Sequence, residues 1–442
     1  MSYKTYEEYK DSNIDWIKKI PIHWMPYKLK HVINEFVAGG TPESSNDSYW
    51  DENNDGIPWV AIGDMNDNDY INSTAKSITI EGLASKNLRI LKKGTLIYSI
   101  FASLGKTSIL NIDATTNQAI LGLILSNKID TIYLKFYLEA LKSTISGFSN
   151  ENTQENLNSN IVKNMEIAMP KSLEEQKQIA NYLDKKTAKI DETICKNKQL
   201  IKLLEEKRTA LINQVVTKGL NPNVPMKDSS VEWIGEVPEH YLIMKISNMF
   251  NNIGSGTTPK SSNEEYYTDG TVNWLITGDL NDNYIYETST QITTKALHDT
   301  SSLKIYPQDS LVIAMYGATI GKLGILKIKT CTNQACCVLS KGNNQNIKYT
   351  YYWFLGYRNE IISLSYGGGQ PNISQDVIKN LRIIVPPLNE QNQIVNYLDI
   401  ETTKINKSIS KIRENINLLE EYKTSLINHV VTGKINVRGE EI

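Results

Sequence analysis

The chain lacks the cysteine and histidine groupings that metal sites and disulfide frameworks require. Cys195 stands in a Lys- and Glu-rich stretch, Cys331, Cys336 and Cys337 share one apolar run without CxxC spacing, and the five histidines (His23, His31, His240, His298, His429) are dispersed. Buried free thiols are the expectation, and a metal cluster is not. No apolar run approaches the roughly 18 to 20 residues of a membrane span. The opening Met1-Ser-Tyr-Lys-Thr-Tyr-Glu-Glu has neither the basic start nor the apolar middle of a signal peptide, so a cytoplasmic location is expected. An excess of either charge is missing too, with 47 Lys and Arg facing 49 Asp and Glu. Composition therefore carries no nucleic-acid footprint. Binding of that kind would need locally sorted charge, or a partner that supplies phosphate contacts.

Catalytic signatures are also missing. No Ser/His/Asp or Cys/His motif, recognisable carboxylate pair, zinc spacing or dinucleotide fingerprint stands out. Two loops end in Gly-Lys, at Gly105-Lys106 and Gly321-Lys322. A phosphate-cradling loop needs Gly, four residues, then Gly-Lys and a hydroxyl residue. The first loop has Ile100 where the opening Gly belongs, and in the second Gly317 comes too late and Leu323 replaces the hydroxyl. An amino-methyltransferase would carry an Asn/Asp-Pro-Pro-aromatic tetrad, but the only Pro-Pro pair, Pro386-Pro387, lies between Val385 and Leu388. It marks a strand end and a helix start, where proline is tolerated. A binding protein follows.

What is present is an internal repeat. From Leu173 to about Val216, steps of three and four pick out Leu173, Gln176, Ala180, Leu183, Thr187, Ile190, Ile194, Asn197, Ile201, Leu204, Arg208, Leu211 and Val215. The residues between are mostly Lys, Glu, Asn, Asp and Gln, the pattern of one long amphipathic helix. An offset of 215 residues reproduces the seam from Leu388 to about Val431. At about 1.5 Å per residue each helix would span roughly 65 Å. A lone helix would leave its stripe wet, so the two are expected to pack on each other. The order head, helix, head, helix makes that pair antiparallel, with the C-terminus returning to the neighbourhood of the N-terminus. Asn197, whose counterpart is Ile412, is either a polar register device or a solvated position.

The heads are duplicated as well. Asp11-Ser-Asn-Ile-Asp-Trp-Ile and Ile20-Pro-Ile-His-Trp24 match Asp228-Ser-Ser-Val-Glu-Trp-Ile and Val237-Pro-Glu-His-Tyr241. Trp16 and Trp233 read as anchors that dock each repeat's start onto the helices. Then come the loops Gly39-Gly-Thr-Pro and Gly256-Thr-Thr-Pro, the turns at Gly63-Asp64 and Gly278-Asp279 after short strands, and the strands Thr95–Ile100 and Leu311–Tyr316. Asn117-Gln-Ala119 and Asn333-Gln-Ala335, helical stretches 133–145 and 349–362, polar loops and a last strand (161–170 and 377–387) complete each copy.

This order resembles the specificity (S) subunit of Type I restriction-modification enzymes over essentially the whole chain. Its carriers are the paired openings, the Gly-Thr-Pro loops, the Gly-Asp turns, the Asn-Gln-Ala stretches, and Leu173-Glu-Glu-Gln-Lys-Gln-Ile-Ala-Asn-Tyr-Leu183 with Leu388-Asn-Glu-Gln-Asn-Gln-Ile-Val-Asn-Tyr-Leu398. The resemblance implies an α+β chain with an internal pseudo-two-fold repeat, in which a long antiparallel two-helix coiled coil separates two mixed α/β target-recognition domains. The expected spans are 1–171 and 221–386 for the recognition domains, and 172–220 and 387–442 for the spacer helices. It further implies that each head reads one half of a bipartite double-stranded DNA target. The helices would set the gap and recruit two modification (methyltransferase) subunits. Restriction (motor-nuclease) subunits would join in some complexes. S-adenosylmethionine, ATP and Mg would reside on those partners, with none on this non-catalytic chain.

Features common to both repeats are poor base readers, because the heads should read different half-sites. Trp59/Trp274, Asp64/Asp279 and Gly105/Gly321 therefore read as fold residues. Lys106 and Lys322 suit phosphate contact, which positions without specifying, or are simply exposed. The polar loop positions expected to reach bases are Ser44, Asn46, Asn66, Asn68, Ser103, Asn152 and Gln154 in the first head, and Lys260, Ser261, Asn281, Asn283, Tyr316, Gln370 and Asn372 in the second. A tandem-domain scaffold that binds proteins is the rival reading, favoured by the neutral charge.

Overall fold

A computed structural model describes residues 4–53, 55–65, 69–101, 103–142, 157–342, 345–365 and 372–440. The chain folds as two compact units, Met1–Asn197 with Glu414–Ile442, and Lys198–Arg413. Each unit holds one head, the opening half of the long helix that follows that head, and the closing half of the other long helix. The architecture is α+β and internally repeated.

The long helices run Leu173–Lys218 and Leu388–Val431 without a Pro or Gly inside. Gly219, at φ +71°, follows the first in the left-handed conformation that ends helices. In the first unit the seam buries Ile179, Leu183, Ile190, Ile194, Leu426 and Val430; in the second it buries Ile212, Val215, Ile394, Leu398, Ile405 and Ile409. Burying each such side chain contributes about 1.5–3 kcal/mol. Leu173 and Leu388, the first residues of the expected seam, are each 37% exposed. The helical halves run antiparallel in the second unit, where Arg413 reaches Glu205 at 3.2 Å and Arg208 donates to Asn406 at 2.7 Å. At the equivalent place in the first unit, Lys423 pairs with Asp191 at 2.7 Å.

The heads share one topology. A five-stranded sheet orders Ile33–Ala38, Ile120–Leu125, Leu96–Ser99, Thr107–Leu110 and Tyr70–Ile71 in the first head. The second repeats it as Phe250–Gly254, Cys336–Gly342, Leu311–Ala314, Leu323–Leu326 and Asn283–Ile285. The last pair is parallel in both and the others are antiparallel. A smaller sheet packs alongside, built on Ile57–Val60 in one head and Val272–Leu275 in the other. An aromatic helix, Thr131–Leu141 or Ile347–Gly356, joins head to long helix. Tyr133 donates to Ala168 O (3.2 Å) and Val431 O (3.5 Å), and its twin Tyr349 donates to Ile384 O (3.0 Å) and Val216 O (3.1 Å).

Several expectations need correction. The last strand of each head is preceded by a short helix, Ser159–Asn164 before Glu166–Pro170 and Gln375–Asn380 before Arg382–Val385. Asn158 and Ser374 cap these helices by accepting from Ile161 N and Val377 N. Capping outweighs the β-branched residues that suggested strand. The aromatic helix of the second head ends at Gly356, and a separate helix, Arg358–Ser363, follows. Trp16 packs edge-on against Tyr137, and Trp233 against Tyr357 and Trp353, on the head's own helical stretch; Trp233 also borders the core that includes Ile212, Val215 and Val216 of the long helix. Cys331, Cys336 and Cys337 are buried free thiols, and burial pushes Cys337 up to about 12, whereas Cys195 is exposed. Asn197 Nδ2 is buried without a hydrogen-bond partner. Among the described residues, no helix is long and apolar enough to cross a membrane.

Candidate nucleic-acid interface

Most residues common to the two heads hold the fold. Asp64 accepts from Ala61 N (2.8 Å) and Ala75 N (2.9 Å), and Asp279 from Ile276 N (3.0 Å) and Ser289 N (3.1 Å), so both carboxylates close turns. Trp59 donates to Gly40 O (2.9 Å) and Trp274 to Thr257 O (3.2 Å). The Gly-Thr-Pro loop also clasps the Asn-Gln-Ala stretch, with Thr41 donating to Gln118, and Thr258 to Gln334 at 2.7 Å. Glycine is required there: a Cβ on Gly256 would stand 1.7 Å from Thr332 O, and one on Gly39 2.1 Å from Asn117 O. Gly105 and Gly321 have φ of +76° and +75°, so the Gly of each Gly-Lys loop serves the turn.

The Glu-Gln pair opening each long helix holds head to helix. Gln176 accepts from Asp130 N (2.8 Å) and donates to Pro170 O (2.9 Å) and Lys128 O (3.1 Å). Gln391 accepts from Asn346 N (2.9 Å) and donates to Pro386 O (2.8 Å). Glu175 accepts from Tyr6 (3.0 Å) and Trp24 (3.1 Å) and sits 3.0 Å from His23 Nε2. Burial, then the neighbouring Glu175 carboxylate, hold the Tyr6 hydroxyl far above the usual phenol range. Sequence reasoning found these residues as repeat markers but missed their work, because most of their partners lie more than forty positions away.

The expected base readers fall into groups. Ser44, Lys260 and Ser261 are exposed on the loop after Gly-Thr-Pro. Asn46 follows them but caps a short 3-10 helix, accepting from Ser48 N at 3.1 Å, and its twin Asn263 accepts from Glu265 N at 3.3 Å. Asn46 thus has a structural role common to both heads. Ser103 and Lys106 are half-buried, and Lys322 is exposed. Tyr316 and Asn372 are brought together by an antiparallel bridge. Asn66, Asn68, Asn152, Gln154 and Gln370 lie outside the described residues.

Asn281 and Asn283 line a cleft of 740 Å³ in the second unit, together with Arg208, Lys348, Arg358 and Arg413. Between them Asp282, at φ +60°, is clamped by both terminal nitrogens of Arg358 and accepts from Leu323 N at 2.9 Å. The turn therefore presents two exposed amides from a fixed base. Lys348 is 2.7 Å from Asp399 and 5.2 Å from the Tyr284 ring, and Lys327 lies 4.9 Å from the same ring. Glu205, Asp282 and Asp399 line the same cleft and pair with Arg413, Arg358 and Lys348, so its positive charge is largely neutralised within the chain. Asp282 and Arg358 escaped the sequence reading, although an aspartate between two asparagines is a turn signal.

Two stretches of the chain, residues 21–204 and 238–418, match the Type I restriction modification DNA specificity domain. The chain belongs to that family. Among relatives of the family, the Type I restriction enzyme MjaIX specificity subunit of Methanocaldococcus jannaschii is 23% identical over 99% of this chain and 98% of its own length. Two solved folds are similar. One is from a study of complex assembly and conformational transition in a type I R-M system, with a TM-score of 0.74 at 14% identity, covering 94% of this chain and 99% of that one. The other is the HsdS subunit from Thermoanaerobacter tengcongensis, with a TM-score of 0.54 at 15% identity, covering 94% and 98%. The duplicated specificity domain coincides with the two heads and the helix that leaves each of them.

Proposed function

We propose that this chain is the DNA-recognition subunit of a Type I restriction-modification complex in the cytoplasm, each head reading one half of a bipartite double-stranded target. One observation carries the reading: two copies of one recognition fold spend most of their common polar residues on turns and clasps, while their loops differ at positions such as Glu43/Lys260 and Phe101/Tyr316. Readers of unlike half-sites need that division. Ser44 and Ser103, and Lys260, Ser261, Asn281, Asn283, Tyr316 and Asn372, are the base-contacting set among the described residues. Lys106 and Lys322 hold phosphates. The chain is non-catalytic, and S-adenosylmethionine, ATP and Mg act on its partners. Mapping methylated bases in a host that carries this gene with its modification gene tests the reading. A bipartite motif is expected, and replacing residues 221–386 should change one half only. No motif, or a change in both halves, would refute it.

The partner is a modification subunit in two copies. Leu203 and Leu418 occupy equivalent positions on the two long helices and are 60% and 56% exposed. Each is followed by a Glu pair, Glu205-Glu206 and Glu420-Glu421, that lines a groove of 820 Å³ or 480 Å³. Beyond the first turn, exposed aliphatic side chains of one helix are otherwise not repeated on the other: Ile400 matches Lys185 and Leu200 matches Asn415. An apolar side chain left in water at the same place twice suits one partner bound twice. Leu203→Glu and Leu418→Glu should each lower the number of bound modification subunits from two to one by native mass spectrometry, and the double variant should bind none.

A further inference from the structure

Glu175 and Glu390 are twins, yet their surroundings differ: Tyr241 stands where Trp24 does, and the Tyr6 side chain has no counterpart. Around Glu175 three groups converge: Tyr6 and Trp24 donate to Oε1 at 3.0 and 3.1 Å, and His23 Nε2 is 3.0 Å from Oε2. The Tyr6 ring is 4% exposed, with centroid distances of 5.6 Å to His23 and 5.9 Å to Trp24. Around Glu390 there are two: His240 Nε2 is 3.0 Å from Oε1, and the Tyr241 hydroxyl donates to Oε2 at 3.0 Å. The position matching Tyr6 is Asn223, which is exposed and turned into its own loop, its N–H donating to Asn221 at 3.0 Å. Where the Tyr6 ring stands in the first unit, the second has a cavity of 340 Å³. Leu220, Val224 and Ile394 form its apolar part, and Asn221, His240, Tyr241, Glu390 and Gln393 its polar part.

We propose that this cavity is a binding site for a para-hydroxyphenyl group, the hydroxyl donating to the Glu390 carboxylate and the ring lying against His240 as Tyr6 lies against His23. The occupied twin supplies the template. A carboxylate accepts up to about four hydrogen bonds, so Glu390 has capacity for a third donor, and a charge-assisted bond of this kind is among the stronger ones. The group can come from a free phenol or from a tyrosine side chain of a partner polypeptide.

The test uses the full chain and p-cresol, followed by ligand-observed NMR, with toluene as the ring without its hydroxyl. p-Cresol should bind at least about tenfold more tightly than toluene, the worth of one charge-assisted hydrogen bond. Glu390→Gln should remove most of that difference. Equal affinity for the two ligands, or a difference untouched by Glu390→Gln in a variant that keeps its wild-type Tm, would overturn the proposal. If the variant does not fold, the wild-type p-cresol to toluene ratio decides alone. Displacement of bound p-cresol by the purified modification subunit would identify the source as a partner tyrosine, and persistence beside it would identify a free phenol.

Discussion

Glu139 shows how a single residue records the crowding beneath the first head. Burial raises its carboxyl above the ordinary range; Lys135 and Lys423 oppose that, while Asp69 and Asp191 add to it. Both lysines are already engaged, Lys135 with Asp69 at 2.6 Å and Lys423 with Asp191 at 2.7 Å. A group whose pKa is raised on folding contributes stability below its unfolded value and loses it as pH rises through the folded value. At neutral pH the ionised Glu139 is therefore a liability. Glu139→Gln should raise Tm at pH 7.5, with a gain that shrinks toward pH 4.5, as calorimetry at the two pH values would record. Gly256→Ala should do the reverse at all pH values. Its Cβ would fall 1.7 Å from Thr332 O, so the clasp must open, at a cost of about 3 kcal/mol in denaturant unfolding.

Single residues were legible from sequence where their role is local. Gly39 and Gly256, the Asp64 and Asp279 turns and the buried Cys336 and Cys337 announce themselves by type and neighbours. Asn46 shows the limit, because an asparagine on a polar loop looks the same whether it faces solvent or, as here, accepts from the amide two residues ahead. Glu175 and Gln176 stood out only as repeat markers, since what they bind is folded in from elsewhere.

Among the elements, the long helices were the most readable, because more than forty residues of heptad pattern without Pro or Gly leave few alternatives. The short capped helices before Glu166–Pro170 and Arg382–Val385 were the least readable, since six residues carry little periodicity and their caps resemble loop residues. At this scale the seam between head and helix depends on the first turn of each long helix. Gln391 is 1% exposed and holds Asn346 N and Pro386 O together. Gln391→Leu would strand a part-buried donor and a buried acceptor, costing about 2–4 kcal/mol. Chemical denaturation should register that loss, while Gln393→Leu, on the exposed face two residues on, should leave the midpoint nearly unchanged.

For the molecule as a whole, the repeat makes one place in the chain special twice over. Asn221 lies in the covalent link between the repeats, and both Asn436 and Lys4 match it in register. Asn436 N donates to Lys4 O at 2.8 Å, and Tyr9 to Gly433 O at 3.1 Å, so the two ends meet by hydrogen bonds where the middle is joined by peptide. A chain with its ends joined there and reopened near Asn221 should fold with a Tm within a few degrees of the original and bind the same DNA. Failure to fold would count against the repeat register drawn here.

The division of each long helix between two units also dictates an order of assembly. The unit spanning Lys198–Arg413 is continuous in the chain, whereas the other needs Glu414–Ile442 to complete a core begun at the start. During synthesis, which delivers residues from the N-terminus onward, the second reader can close while the first still waits for its last helical strut. The sensor made first is thus finished last, and a ribosome that stalls late leaves an open apolar groove at the beginning of the protein and not at its end.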